Sequence, residues 1–219
     1  MKALSRLFLI LVVMGAPALA AQEATVTPLR EYRIGRDLEA QGRWDEANTR
    51  YETAIALTLE EISKNTVNRD TYAVLTWSYQ RQKKYRSVID YGKQALKRDA
   101  KDYRVMETMG EAWFYIGDYK ESIRLMQKYV DAMPQGERVS VAYFFMGETY
   151  RILNKLNHAE IAYTTSVRLE PGLPLWWYRL GLARELLEDK SGAQAAFNKA
   201  LSLWPSYKDA KTALARVSR

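Results

Sequence analysis

The chain has 219 residues, 33 basic against 26 acidic side chains, a net charge of +7 and no cysteine. The missing cysteine excludes disulfides, thiolate nucleophiles, cysteine metal sites and a lipid-modified cysteine behind a leader. Lys2 and Arg6 fall in an N-terminal leader; without them the balance is 31 basic to 26 acidic, a net of +5. Both signs are interspersed, which reads as a solvated helical surface and not as a polybasic arm for nucleic acid or anionic lipid.

Met1 to Ala20 reads as a secretory signal peptide. Lys2 and Arg6 form its basic start, Leu7 to Met14 its apolar run, Gly15 and Pro17 break the helix, and Ala18-Leu19-Ala20 is a small-x-small cleavage site. The apolar run is shorter than the ~20 residues of a membrane span. The expectation is therefore cleavage, no membrane insertion afterwards, and export to a bacterial periplasm, with extracellular release as the alternative. Residues 21–27 are a polar lead-in without periodicity.

From Leu29 onward the apolar spacing is helical. A first pair of helices carries Ile34, Gly35 and Leu38, then Gly42, then Ala47, Tyr51 and Ala54. Its second helix runs on through Leu57, Leu59 and Ile62 to Lys64, because no proline stops it. Two extra turns are expected to project from the body there. Residues 65–70 follow as a loop, with Asp70 as the N-cap of the next helix. The second pair has Tyr72, Leu75, Thr76 and Tyr79, then Val88, Ile89, Ala95 and Leu96. Lys83 stands at its turn, and Gly92 interrupts its second helix at a cost of ~1 kcal/mol relative to alanine. Tyr91 is expected to carry the packing there, and this pair to be the softest. The third pair has Met106, Met109, Gly110 and Trp113, then Gly117, Ser122, Met126, Tyr129 and Pro134, and ends in a long loop to Arg138. The fourth has Tyr143, Met146, Gly147 and Tyr150, then Ala159, Tyr163, Ser166 and Pro171. The fifth has Trp177, Leu180 and Gly181, then Ala193, Phe197, Ala200 and Pro205. Tyr207, Ala210, Leu214 and Val217 put one apolar face on a last helix.

The spacing large residue, Leu or Met, Gly, then Ala, aromatic, Ala and Pro, repeated every ~34 residues, resembles the tetratricopeptide repeat. The resemblance implies an all-α, right-handed superhelical solenoid. Five helix-turn-helix units span 28–61, 69–102, 103–136, 140–173 and 174–207, and a capping helix spans 208–219. Small residues would sit where the two helices of a unit cross, and large ones would fill the space around the crossing. Arg184 departs from the pattern, standing where the family prefers a tyrosine, which leaves packing at that helix end open.

Signals for catalysis are weak. The one histidine, His158, has no metal-pair partner and reads as a solvent-facing loop residue. No two glycines lie closer than seven residues, so there is no glycine-rich phosphate loop. The methionines fall at packing positions. No cofactor, no metal and no enzymatic activity are expected.

The resemblance implies that the first helix of each unit lines a concave groove. The residues so placed are Tyr32, Arg33 and Arg36; Trp77, Gln80 and Arg81; Arg104, Glu107, Glu111, Phe114 and Tyr115; Phe144, Phe145, Glu148 and Arg151; and Tyr178, Arg179 and Glu185. Aromatic rings with arginines suit the gripping of a peptide, although rings such as Trp77 and Phe144 could equally bury against the next unit. One subfamily clamps C-terminal carboxylates. The matching positions here hold Tyr32, Arg36, Val74, Arg104 and Thr108, without the asparagines, which argues against that specificity and leaves a looser preference for acidic peptides open. The leading expectation is an exported scaffold binding another protein or peptide. The alternatives are a structural subunit of an envelope, pilus or secretion assembly, and a small-molecule-binding accessory protein of a transporter.

Overall fold

The structure is a computed structural model that describes residues 26–218; the expected signal peptide and most of the lead-in, residues 1–25, lie outside the described residues, as does Arg219. Its described elements are helices throughout. They pair as α1 (Pro28–Ala40) with α2 (Trp44–Ser63), α3 (Thr71–Arg81) with α4 (Tyr85–Arg98), and α5 (Tyr103–Tyr115) with α6 (Tyr119–Ala132). Then come α7 (Val139–Ile152) with α8 (Leu156–Leu169), α9 (Pro174–Leu186) with α10 (Lys190–Leu203), and a single α11 (Lys208–Val217). The fold is an all-α superhelix.

Each pair is nested by a size match. An alanine-sized Cβ on Gly35 would lie 2.6 Å from the Tyr51 ring, on Gly147 2.6 Å from Tyr163, on Gly181 2.4 Å from Phe197, and on Gly110 2.9 Å from the Met126 methyl. Carbon atoms in contact sit near 3.5–4.0 Å, so the first helix must offer hydrogen where the second offers a ring. In the second pair the sizes are exchanged. Thr76 is fully buried on α3, Gly92 lies opposite on α4, and the Met109 side chain from the following pair fills the space, 2.4 Å from where a Gly92 Cβ would be. Tyr91 does contribute, stacked on Tyr79 with ring centroids 5.6 Å apart.

The turn inside every pair needs one residue in the left-handed region. Gly42 and Gly117 fill it without strain, while Lys83, Asn154 and Glu188 adopt φ values of 57°, 54° and 64°. The following N–H closes back on the helix in each case, as from Arg43 to Leu38 at 2.9 Å and from Lys84 to Tyr79 at 2.9 Å. That geometry satisfies helix-end carbonyls that would otherwise be orphaned.

Two local expectations are corrected and one open point is answered. The extra turns of α2 do not project: Thr58 is fully buried, Ile62 packs on the Tyr72 cluster, and the Glu61 carboxylate accepts from the Thr71 hydroxyl at 2.5 Å and from Asn68 at 3.2 Å. Asp70 stands at the N-cap of α3 but its side chain makes no capping bond; it accepts from Arg104 at 2.7 Å instead. Arg184 is held by an ion pair, its Nη2 2.8 Å from Glu160, so a polar tie replaces the ring at the end of α9.

Contacts run from α1 to α3, α3 to α5 and α5 to α7, whereas no comparable contact joins successive second helices. The first helices therefore form the inner layer of the curve and the second helices the outer one. Ala210, Ala213 and Val217 of α11 cover the last pair against Phe197 and Ala200. Ala213, not the half-buried Leu214, is the central contact of that helix.

Candidate functional site

The inner layer opens into a cleft of 440 Å³ spanning the first three pairs. Tyr32 and Arg36 from α1, Trp77, Gln80 and Arg81 from α3, and Glu107, Glu111 and Tyr115 from α5 line it. These eight are among the residues singled out in the sequence. Thr108, named in the sequence as a clamp-matching position, is also in the lining; Glu39, Lys83, Tyr85, Glu137 and Arg138 complete it and were missed. Sequence reasoning counted only first-helix positions between the packing residues. Lys83 is in a turn, Tyr85 begins a second helix, and Glu137 with Arg138 belongs to the long loop after α6.

That loop brings a cation to the cleft. Its Arg138 folds back so that Nε lies 3.0 Å from Glu107, while Nη2 makes a short bond to Glu111. Four residues apart on one helix, the two carboxylates share a face; they are 2% and 7% exposed. Gln80 donates to Glu111 at 2.8 Å. Burial, reinforced by the neighbouring Glu111 charge, pushes the Glu107 carboxyl well above the usual carboxylate range against the pull of Arg138. For Arg138, burial acts downward, but the two glutamates outweigh it and hold the guanidinium above its ordinary value.

The walls are rings. Tyr85 and Tyr115 stack at 4.5 Å, and Tyr32 lies 5.4 Å from Trp77. Glu39 accepts from the Tyr51 hydroxyl at 2.6 Å and from Arg81 at 3.3 Å. Arg36 and Lys83, both exposed, have no ion pair among the described residues.

The remaining sequence candidates lie elsewhere. Arg33 is exposed on α1, outside the cleft lining. Arg104 ties the second pair to the third through Asp70, Asp102 and the Arg69 carbonyl, with its guanidinium 5.8 Å from the Trp77 ring. Thr108 spends its hydroxyl on the Arg104 carbonyl and Val74 is fully buried, so no carboxylate clamp is assembled. Phe145 is 8% exposed, packed edge-on against Phe114 and Tyr115. Phe144 stacks on Trp176 at 5.0 Å, between the fourth and fifth pairs. Glu148 is buried, bonded by the Tyr163 hydroxyl at 2.6 Å and paired with Arg151 and Arg179 at 3.2 and 3.0 Å. Tyr178 packs on Phe197 and Tyr207, and Glu185 pairs with Arg216. His158 is exposed as expected, but on the first turn of α8, its ring 5.2 Å from Tyr150. Among the described residues no group of three or more His, Asp or Glu is placed to hold a metal.

A second cavity, of 590 Å³, opens at the far edge between the second and third pairs. Its wall combines the connecting loops with Tyr72 of α3, Ala95 and Arg98 of α4, and Tyr103 and the already engaged Arg104 of α5.

Profiles of the tetratricopeptide repeat match residues 29–101, 140–172 and 177–207. The chain is a tetratricopeptide repeat protein. No curated protein matches it in sequence. Among solved structures this tetratricopeptide repeat chain is similar to MamA from Desulfovibrio magneticus RS-1, at 19% identity over 82% of this chain and 96% of that one, TM-score 0.63. It is also similar to a thermophilic protein of the same family from Thermus thermophilus, at 18% identity over 87% and 98%, TM-score 0.65. A chain of the APC/C Cut9–Hcn1 hetero-tetramer matches at 15% identity over 88% of this chain and 36% of that one, TM-score 0.71. At these identities the shared property is the fold.

Proposed function

We propose that this tetratricopeptide repeat protein is a non-enzymatic scaffold that holds a segment of another protein in the cleft of its first three repeats, in the bacterial envelope after export. Superhelices of this family serve in general as protein-interaction scaffolds. The cleft carries the assignment here: it runs across three repeats on the inner layer and combines ring faces with charged groups, the mixture that anchors protein interfaces. Glu39, Glu107 and Glu111 are engaged by Arg81, Arg138 and Gln80, an arrangement suited to holding a shape and not to moving protons. Export rests on the leader, whose basic start, apolar run and Ala18-Leu19-Ala20 site have the order of a cleavable signal.

A photo-crosslinking benzoylphenylalanine placed at Tyr115, half exposed in the cleft, tests the site in cells producing the full chain. It should trap a partner, and the same residue at Ile161 on outer helix α8 should not. Equal yields at both positions, or none at Tyr115, would refute the cleft as the binding site. Fractionation by osmotic shock tests the compartment: the shortened chain should be released, and an uncut chain retained with the cytoplasm would remove the envelope from the proposal.

A further inference from the structure

We infer that the floor of the cleft seats a basic side chain, arginine or lysine, of the bound protein segment. This rests on the cleft being the binding site, and it names the chemistry that site selects.

Glu107 and Glu111 bring two carboxylates to the floor, and among the described residues the cation paired with them is Arg138. That cation is not built into either helix of the floor. It swings in from the loop between α6 and α7, with 46% of its side chain still exposed. Two buried anions against one guanidinium leave a deficit of positive charge in a place water barely reaches, where charges act more strongly than at the surface. The third polar group on the floor points the same way. Gln80 spends its N–H on Glu111, and its Oε1 is buried without a donor. The floor therefore offers acceptors and lacks donors. Trp77, Tyr85 and Tyr115 also line the cleft and give a peptide apolar area to lie against.

An acidic side chain on that floor would meet two carboxylates and a bare amide oxygen against the single, already engaged guanidinium of Arg138, so a preference for acidic peptides does not fit. Arg36 and Lys83, exposed at the margin, match an acidic residue flanking the buried cation. The elevated Glu107 carboxyl agrees: a proton there supplies the charge that an incoming cation would bring. Arg138 already shows that a guanidinium fits between these carboxylates.

The test uses the full chain and three octapeptides of one glycine-serine-alanine background, carrying arginine, citrulline or glutamate at the centre. Binding is followed by NMR at the Trp77 indole and the Gln80 side-chain amide. The arginine peptide should move both signals, and the citrulline peptide should bind about tenfold more weakly, the size of one charge-assisted hydrogen bond. Glu107→Gln with Glu111→Gln should erase that preference, and Arg138→Gln should strengthen arginine binding. Comparing peptides on the unchanged chain keeps the test decisive if a variant does not fold. Citrulline or glutamate binding as well as arginine would overturn the basic seat while leaving the cleft as a binding site. No movement of either signal by any peptide would overturn both.

Discussion

Substituting Gly147 tests the nesting on which the cleft depends. The Cβ of an alanine there would lie 2.6, 2.7 and 3.0 Å from three atoms of the Tyr163 ring, about 1 Å inside ordinary contact. The ring cannot step aside cheaply. It is fully buried, and its hydroxyl is bonded to Glu148 at 2.6 Å, itself paired with Arg151 and Arg179. Overpacking of this kind costs about 1–3 kcal/mol. Alanine returns ~1 kcal/mol through its helix propensity, so Gly147→Ala should lose between roughly 0 and 2 kcal/mol. Gly147→Leu adds bulk with no space to enter and should reach the top of the range or pass it. At about 2–4 °C per kcal/mol for a chain of this size, the leucine variant should melt at least ~6 °C lower by circular dichroism. Adding Tyr163→Leu, which takes the ring away, should recover part of the loss, a coupling that distant sites would not show. An unchanged melting temperature in Gly147→Leu, or strict additivity in the double variant, would mean that α7 and α8 do not cross at this pair.

Three further outcomes follow from the same structure. Glu107→Gln should stabilise the protein at neutral and alkaline pH. The folded carboxyl titrates above its unfolded range, so the stability it contributes is complete in acid and is lost as pH rises through the folded value. Melting temperatures of variant and parent should converge below the unfolded carboxylate range and separate as pH rises; a constant gap would refute the cause. Lys83→Gly should gain up to about 1 kcal/mol, since φ at this turn is 57°, a left-handed conformation that costs a residue with a Cβ about 1–2 kcal/mol, partly offset by the chain entropy of glycine; a loss in urea unfolding would contradict this. Met109→Ala should cost ~2–5 kcal/mol, because Met109 is both core to its own repeat and the filler opposite Gly92; a cost under ~1 kcal/mol would show that the space collapses on its own.

The architecture was legible because its cause is local and periodic. Gly35, Gly110, Gly147 and Gly181 each answer a large side chain sixteen residues on, and a steric rule that repeats can be read from a string. The second repeat shows where such reading stops. Gly92 looks like a lapse, and only the fold reveals that Met109, from another repeat, fills the space beside it. The extension of α2 was read correctly as helix but wrongly as a projection, because what holds it is a set of bonds from Glu61 to Asn68 and Thr71, chosen by loop geometry.

The cleft divides along the same line. The resemblance to the repeat family implied that Tyr32, Trp77, Gln80, Glu107, Glu111 and Tyr115 face the inner layer, and the structure places all six in the cleft lining. Spacing could not say which charges remain available. Arg104 and Arg151 are basic residues on first helices, yet each is consumed by neighbouring carboxylates. Arg138, on an irregular loop, sets the electrostatics of the floor and follows no period at all. A groove predicted from arginines and rings alone leans toward acidic ligands. With Arg81, Arg104, Arg138 and Arg151 assigned to carboxylates and Arg36 exposed in the cleft lining, the floor holds two carboxylates against one guanidinium and a Gln80 oxygen without a donor, and the predicted ligand changes sign.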